Sequence, residues 1–131
     1  MKTLIVEDDA TSRLLLIELL SPYGPASAVD GGISAIETVK ASIERHQPFD
    51  LICLDIMLPG MDGHQILKAI RDAEEQAGFP IGRGAKIVMT TALRDKGNVL
   101  TAFRAMCDGY LPKPIDKAKL QEQLRGLSLI R

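Results

Sequence analysis

Three acidic residues, Glu7-Asp8-Asp9, directly follow a short apolar run, Leu4-Ile5-Val6. A further acid, Asp55, follows a second apolar run, Leu51 to Leu54. Thr90 and Thr91 close a third run, and Lys113, followed by Pro114, comes just after Gly109-Tyr110-Leu111. Carboxylates gathered in one pocket resist joint ionisation. A divalent cation relieves that conflict, and oxygen-only ligands of high negative charge favour Mg²⁺, which keeps several of its waters. A lysine brings compact positive charge to a phosphoryl oxygen, and a threonine hydroxyl can donate to another. An acid pair, a lone aspartate, a hydroxyl and a lysine, each at the end of its own strand, describe phosphoryl transfer to a carboxylate. Asp55 attacks phosphorus, Mg²⁺ and Lys113 offset charge on the equatorial oxygens, and the product is an acyl phosphate. Each residue alone has a plainer reading. Asp9 is well placed to cap a helix, threonine is common at strand ends, and lysine before proline is common in loops. The conjunction carries the inference.

The elements that must position these residues alternate along the chain. Thr3 to Val6, Ala26 to Val29, Asp50 to Leu54, Lys86 to Met89 and Gly109 to Leu111 read as strands. The run before Asp55 is apolar at consecutive positions, as in a strand buried on both faces of a parallel sheet. Between them Ala10 to Leu20 reads as a helix, and Ile33, Ile36, Val39 and Ile43 fall at helical spacing. Ile66, Leu67, Ile70 and Ala73 mark a third helix after the turn cluster Pro59-Gly60-Met61-Asp62-Gly63. Val99, Phe103 and Met106 mark a fourth, and Leu120, Leu124 and Leu127 a fifth that Asp116 can cap. The expected fold is α/β: one domain over residues 1–131, a doubly wound five-stranded parallel sheet with five helices. Sites in such sheets form at the carboxyl ends of the strands, where strand order switches. The candidate residues occupy those ends.

Composition narrows the function further. The chain has 131 residues, 46% hydrophobic and 25% charged, with a formal net charge of −1. Neither the charge nor any basic patch favours direct nucleic-acid binding. No apolar run reaches membrane-spanning length. The first residues run straight into a strand without a signal-peptide layout, so a cytoplasmic location is expected. Cys53 reads as a small core residue, Cys107 carries no assignment, and His46 and His64 lack metal-ligand spacing.

With these residues in view, the sequence resembles the receiver domains of bacterial response regulators, including the single-domain chemotaxis type, along nearly its whole length. Leu4-Ile5-Val6-Glu7-Asp8-Asp9 is similar to the acidic motif of that family's first strand. Leu54-Asp55-Ile56-Met57-Leu58-Pro59-Gly60-Met61-Asp62-Gly63 resembles its phosphorylation-site motif. Met89-Thr90-Thr91-Ala92 and Gly109-Tyr110-Leu111-Pro112-Lys113-Pro114 resemble its Thr/Ser-Ala and Lys-Pro motifs. The resemblance implies a flavodoxin-like receiver fold with Asp55 as phosphoacceptor. Asp8 then binds Mg²⁺ directly, Glu7 acts mostly through metal-bound water, and the Met57 carbonyl completes the protein ligands. Thr91, preceding Ala92, becomes the switch hydroxyl, Lys113 the phosphate-contacting lysine and Tyr110 the aromatic switch residue. The implied partners are a sensor histidine kinase or phosphotransfer protein and a downstream protein target, with the chain a monomer or weak dimer. The starting Met1 favours a free-standing regulator over a receiver cut from a larger protein.

Two departures stand out. The stretch Gln76 to Ala85 lengthens the connection before the fourth strand, as a tolerated surface insertion or an altered partner surface. Pro112 precedes the lysine and stiffens its loop. Met57 and Leu93, two residues beyond the acceptor and the switch hydroxyl, are apolar and are expected either to slow hydrolysis of the acyl phosphate or merely to cover the site. Rival readings fail on single positions. A phosphohydrolase of the haloacid-dehalogenase type needs a second acid where Met57 stands. A flavodoxin-like cofactor binder needs a phosphate loop where Glu7-Asp8-Asp9 would repel phosphate. A pure interaction module would be expected to have lost one of the key residues.

Overall fold

The computed structural model describes residues 1–56, 58, 60–61, 63–80, 82–92 and 107–131. Five strands, β1 (Thr3–Val6), β2 (Ala26–Val29), β3 (Leu51–Asp55), β4 (Lys86–Thr91) and β5 (Gly109–Pro112), form one sheet in the order β2-β1-β3-β4-β5. Every neighbouring pair is parallel. The described helices are α1 (Ala10–Leu20), α2 (Gly32–Glu44), α3 (Gly63–Gln76) and α4 (Lys117–Gly126), with a short 3₁₀ turn at Ser21–Tyr23. The helix expected around Val99, Phe103 and Met106 lies outside the described residues.

Alternation along the central strands divides the core into two layers, because successive side chains point to opposite faces. Leu4, Val6, Ile52, Leu54, Ile87 and Met89 meet Ala35 and Val39 of α2 and Ile66, Leu67 and Ile70 of α3. Ile5, Leu51, Cys53, Val88 and Leu111 meet Leu16 and Leu20 of α1 and Leu120 and Leu124 of α4. Leu51 through Asp55 are all buried, which accounts for the unbroken apolar run. Truncating any of these leucines to alanine costs roughly 2–5 kcal/mol by general experience of buried sites.

Helix starts follow from local chemistry. The Asp9 carboxylate accepts from the Ser12 N–H at 2.9 Å and the Ser12 hydroxyl at 2.8 Å, capping α1. Asp116 caps α4 by accepting from Ala118 N at 3.4 Å. At α2 the expected apolar stripe holds at Val39, with Ile36 and Ile43 packed against the core, and needs correction at Ile33. Ile33 is 67% exposed, and the buried face is carried by Gly32, Ala35, Val39 and Ser42. The reason is close approach: a Cβ on Gly32 would stand 2.8 Å from both Ile66 Cδ1 and Met61 Sδ. The start of α2 is thus pressed against α3 and the loop that follows β3, which leaves Ile33 on the outer side.

The strand order switches direction between β1 and β3, the neighbours that share the centre of the sheet. In open sheets of this kind the site-forming crevice lies there, at the carboxyl ends of the strands. The register sets which residues enter it. Val6 pairs with Leu54, so Glu7 and Asp55 come next on adjacent strands. Asp55 in turn pairs with Thr90, and Thr91 with Pro112, the residue before Lys113.

Candidate functional site

Glu7 leaves β1 with its N–H donating to Val29 O at 3.1 Å, which extends the β1–β2 ladder by one residue. Its side chain is buried, and Asp55 is 5% exposed at the end of β3. Asp8, one residue on, is exposed. One carboxylate oxygen from each of Glu7, Asp8 and Asp55 lies within 4.8 Å of the others. Lys113, one residue past β5, reaches into this cluster. Its Nζ stands 2.5 Å from Glu7 Oε1 and 3.1 Å from Asp55 Oδ2. The Lys113 N–H donates to Thr91 O at 2.6 Å, which carries the β4–β5 pairing on to the lysine. The peptide between Lys113 and Pro114 is cis.

The electrostatics follow from burial and crowding. Loss of water at Glu7, reinforced by a hydrogen bond shared with Asp55, pushes its carboxyl up to about 7 despite the opposing pull of Lys113. Burial works to lower the Lys113 ammonium, but its hydrogen bonds to Glu7 and Asp55 outweigh that and raise it. Asp9 lies below the usual carboxylate range because the Ser12 N–H and hydroxyl stabilise its charged form. Asp9 is therefore committed to its cap.

Three carboxylates offering hard oxygen donors, one of them open to solvent, fit Mg²⁺, which needs room for its own waters. The Lys113 ammonium partly offsets their charge. Thr91 is buried at the end of β4, and Tyr110 is half-buried on β5 against the α2–α3 layer. The sequence expectations at Met57, Pro59, Asp62 and Leu93 fall outside the described residues.

Arg13 was not anticipated. Its Nη1 donates to Glu7 O at 2.9 Å and to Asp8 O at 3.0 Å. A single arginine three residues inside a helix carries no sequence signal for such a role. It becomes visible only when its guanidinium is seen folding back on the loop.

Sheet order, a carboxylate cluster at the switch point and a lysine just past β5 define an α/β domain with an acidic site at its strand ends. Residues 3–125 match the response regulator receiver domain family, and the chain belongs to it. It is thus a receiver domain of two-component signalling. It is 34% identical over 123 residues to the sensor histidine kinase GacS of Pseudomonas protegens, covering 92% of this chain but 12% of that protein. It is 33% identical over 126 residues to the chemotaxis protein CheY-3 of Vibrio cholerae, covering 95% of this chain and 88% of that one. Among solved structures, the CheY-like receiver domain of Methylobacillus flagellatus superposes with a TM-score of 0.75 at 27% identity, covering 97% of this chain and 98% of that one. The receiver domain of the sensor histidine kinase PA1611 of Pseudomonas aeruginosa, solved with a magnesium ion in its active-site cleft, gives 0.76 at 27% identity, with 97% of each chain covered. Among the described residues no helix is long and apolar enough to cross a membrane.

Proposed function

We propose that this chain accepts a phosphoryl group on Asp55 from a phosphohistidine of a sensor histidine kinase or phosphotransfer protein, and that the modification changes a surface read by a downstream protein. The observation that carries this reading is the buried Asp55 carboxylate, with the Lys113 ammonium 3.1 Å away and the carboxylates of Glu7 and Asp8 beside it. Glu7, Asp8 and Asp55 would hold Mg²⁺, with the Met57 carbonyl as a further ligand. The magnesium in the PA1611 receiver supports that choice. The ion supplies charge neutralisation at the phosphoryl oxygens.

The chain's own residues supply the rest. One oxygen of Asp55 attacks phosphorus, the P–N bond to the donor imidazole breaks, and the imidazole leaves with the electron pair and is protonated. Lys113, already hydrogen-bonded to Asp55, follows the charge onto an equatorial oxygen. Thr91 donates its hydroxyl to another, and Tyr110 turns inward behind it. The shape change spreads over the β5 face and the helices beside it. The whole of residues 1–131 acts as one such unit in the cytoplasm, as a signalling phosphoacceptor and not an enzyme with an external product, monomeric or weakly dimeric.

The test is incubation with acetyl phosphate and Mg²⁺, read by intact mass. A single added phosphoryl group that requires Mg²⁺ and is absent from Asp55→Asn is expected. A folded, Mg²⁺-binding chain that stays unmodified even with phosphorylated donor proteins would refute the reading.

A further inference from the structure

We propose that Arg13 is a positioning residue that holds the acidic loop in its cation-ready conformation. The proposal rests on the reading of Glu7, Asp8 and Asp55 as a Mg²⁺ site. Arg13 collects three successive carbonyls of one short segment. Its N–H donates to Asp9 O at 2.9 Å as the first helical hydrogen bond of α1. Its Nη1 donates to Glu7 O at 2.9 Å and to Asp8 O at 3.0 Å. The backbone of the acid pair is thereby held through its carbonyls, while one carboxylate oxygen from each of Glu7 and Asp8 lies within 4.8 Å of one from Asp55.

Such fixing matters most for Asp8. Glu7 is anchored by the sheet through Val29 and by Lys113. Asp8 is exposed, and its N–H donates to the Glu7 carboxylate of the same loop, 3.1 Å away. Without Arg13 the two carbonyls turn to water and the loop samples other conformations, so part of the binding free energy goes into ordering it. The guanidinium also places positive charge near a cation site, which taken alone weakens binding by repulsion. The two effects have opposite signs. Positioning predicts that removing Arg13 loosens Mg²⁺, whereas charge alone predicts that removal tightens it.

The experiment compares wild type, Arg13→Lys and Arg13→Met. Mg²⁺ affinity is measured by calorimetry, and amide hydrogen exchange at Asp8 and Asp9 is measured in the metal-free proteins. Thermal unfolding without metal serves as the folding control. For Arg13→Met the expected result is a Mg²⁺ dissociation constant raised on the order of 10-fold, the low end for changes behind a metal's ligands, with faster exchange at both amides. Arg13→Lys, which keeps the charge but lacks the rigid fork, is expected between the two, and it still decides the matter if Arg13→Met does not fold. Wild-type affinity or tighter binding in both variants overturns the proposal alone. Absence of Mg²⁺ binding in the wild type overturns the reading of the site, and the proposal with it.

Discussion

Lys113 Nζ lies 3.1 Å from Asp55 Oδ2 and at the same time 2.5 Å from Glu7 Oε1, so one ammonium bridges the end of β3 and the residue after β1. The lysine comes from the far side of β4 and reaches across because the β4–β5 ladder continues through Thr91 O to its N–H. Removing it takes away an ammonium in direct contact with the expected acceptor. Lys113→Met is expected to slow acyl phosphate formation on the order of 100-fold, in line with losing one transition-state donor. Mg²⁺ binding should hold or tighten, since a competing positive charge is gone. Time-resolved intact mass with a small phosphodonor checks this, and an unchanged initial rate would rule out the role.

Glu7 gives a pH signature. Its folded pKa, about 7, lies above the ordinary carboxylate value of 4.5, with burial as the leading cause. A group raised on folding contributes its full stability below the unfolded pKa and loses it as pH rises through the folded one. Metal-free protein should therefore lose stability between about pH 4.5 and pH 7, at no more than about 1.4 kcal/mol per pH unit for one proton. Denaturant melts across that range in Glu7→Gln should show a flatter profile, and saturating Mg²⁺ should flatten the wild type. Identical slopes in wild type and variant would remove Glu7 as the source.

Much of this was legible in the sequence, for physical reasons. β1, β2 and α1 begin and end where apolar runs meet Asp9, Pro22 and Pro25, because caps and prolines act locally. The acid pair, Asp55, the threonines and Lys113 were readable as strand-end residues because parallel connections bring those ends to one edge. β3 runs one residue later than the hydropathy suggested, since Asp55 still pairs with Thr90 although its side chain is ionisable. What the sequence could not supply was tertiary. The exposure of Ile33 depends on Gly32 meeting Ile66 and Met61, and the role of Arg13 depends on carbonyls that a side-chain pattern does not reveal.

The long stretch before β4 illustrates the same limit, since its Ala85 end is held by side chains of α3. Glu74, buried on α3, accepts from Ala85 N at 2.7 Å, while Arg71 Nη1 donates to Glu74 Oε1 and to Ala85 O, both at 2.8 Å. Arg71 Nη2 reaches Asp108 Oδ2 at 3.1 Å, tying α3 to the residue before β5. A Cβ on Gly84 would press on the Glu74 carboxylate, so a larger residue there would push that side chain off its hydrogen bonds to Ala85 and Arg71. Arg71→Met should leave a buried carboxylate without its cation and destabilise the fold by about 2 kcal/mol, below the range for fully buried pairs because Arg71 is partly exposed. Adding Glu74→Gln should recover part of the loss. Chemical denaturation of both variants gives the answer, and equal stability of Arg71→Met and wild type would make the network ornamental.

Thr3 offers a gain. Its side chain is buried in β1, and Oγ1 has no hydrogen-bond partner among the described residues. A buried hydroxyl without a partner carries its desolvation cost uncompensated. Thr3→Val keeps the branched shape and removes the polar atom, so stability should rise by about 1 kcal/mol. A lower melting temperature for the variant would mean that the hydroxyl is satisfied in solution, for instance by an internal water.

The two thiols should separate cleanly under labelling. Cys53 sits in the middle of β3, and burial pushes its thiol up to about 12, so almost no thiolate forms near neutral pH. Cys107 is half-buried ahead of β5, and its pKa is also raised, first by burial and then by the neighbouring Asp108 charge. Reactivity follows thiolate fraction and access together, which makes Cys107 slow and Cys53 silent in the folded state. With a chromogenic disulfide reagent at pH 8 the native protein should release one equivalent slowly, and the second only after denaturant is added. Cys107→Ser should abolish the native reaction and leave the denatured one. Fast release of two equivalents without denaturant would mean that β3 opens readily, which its position between β1 and β4 at the centre of the sheet argues against.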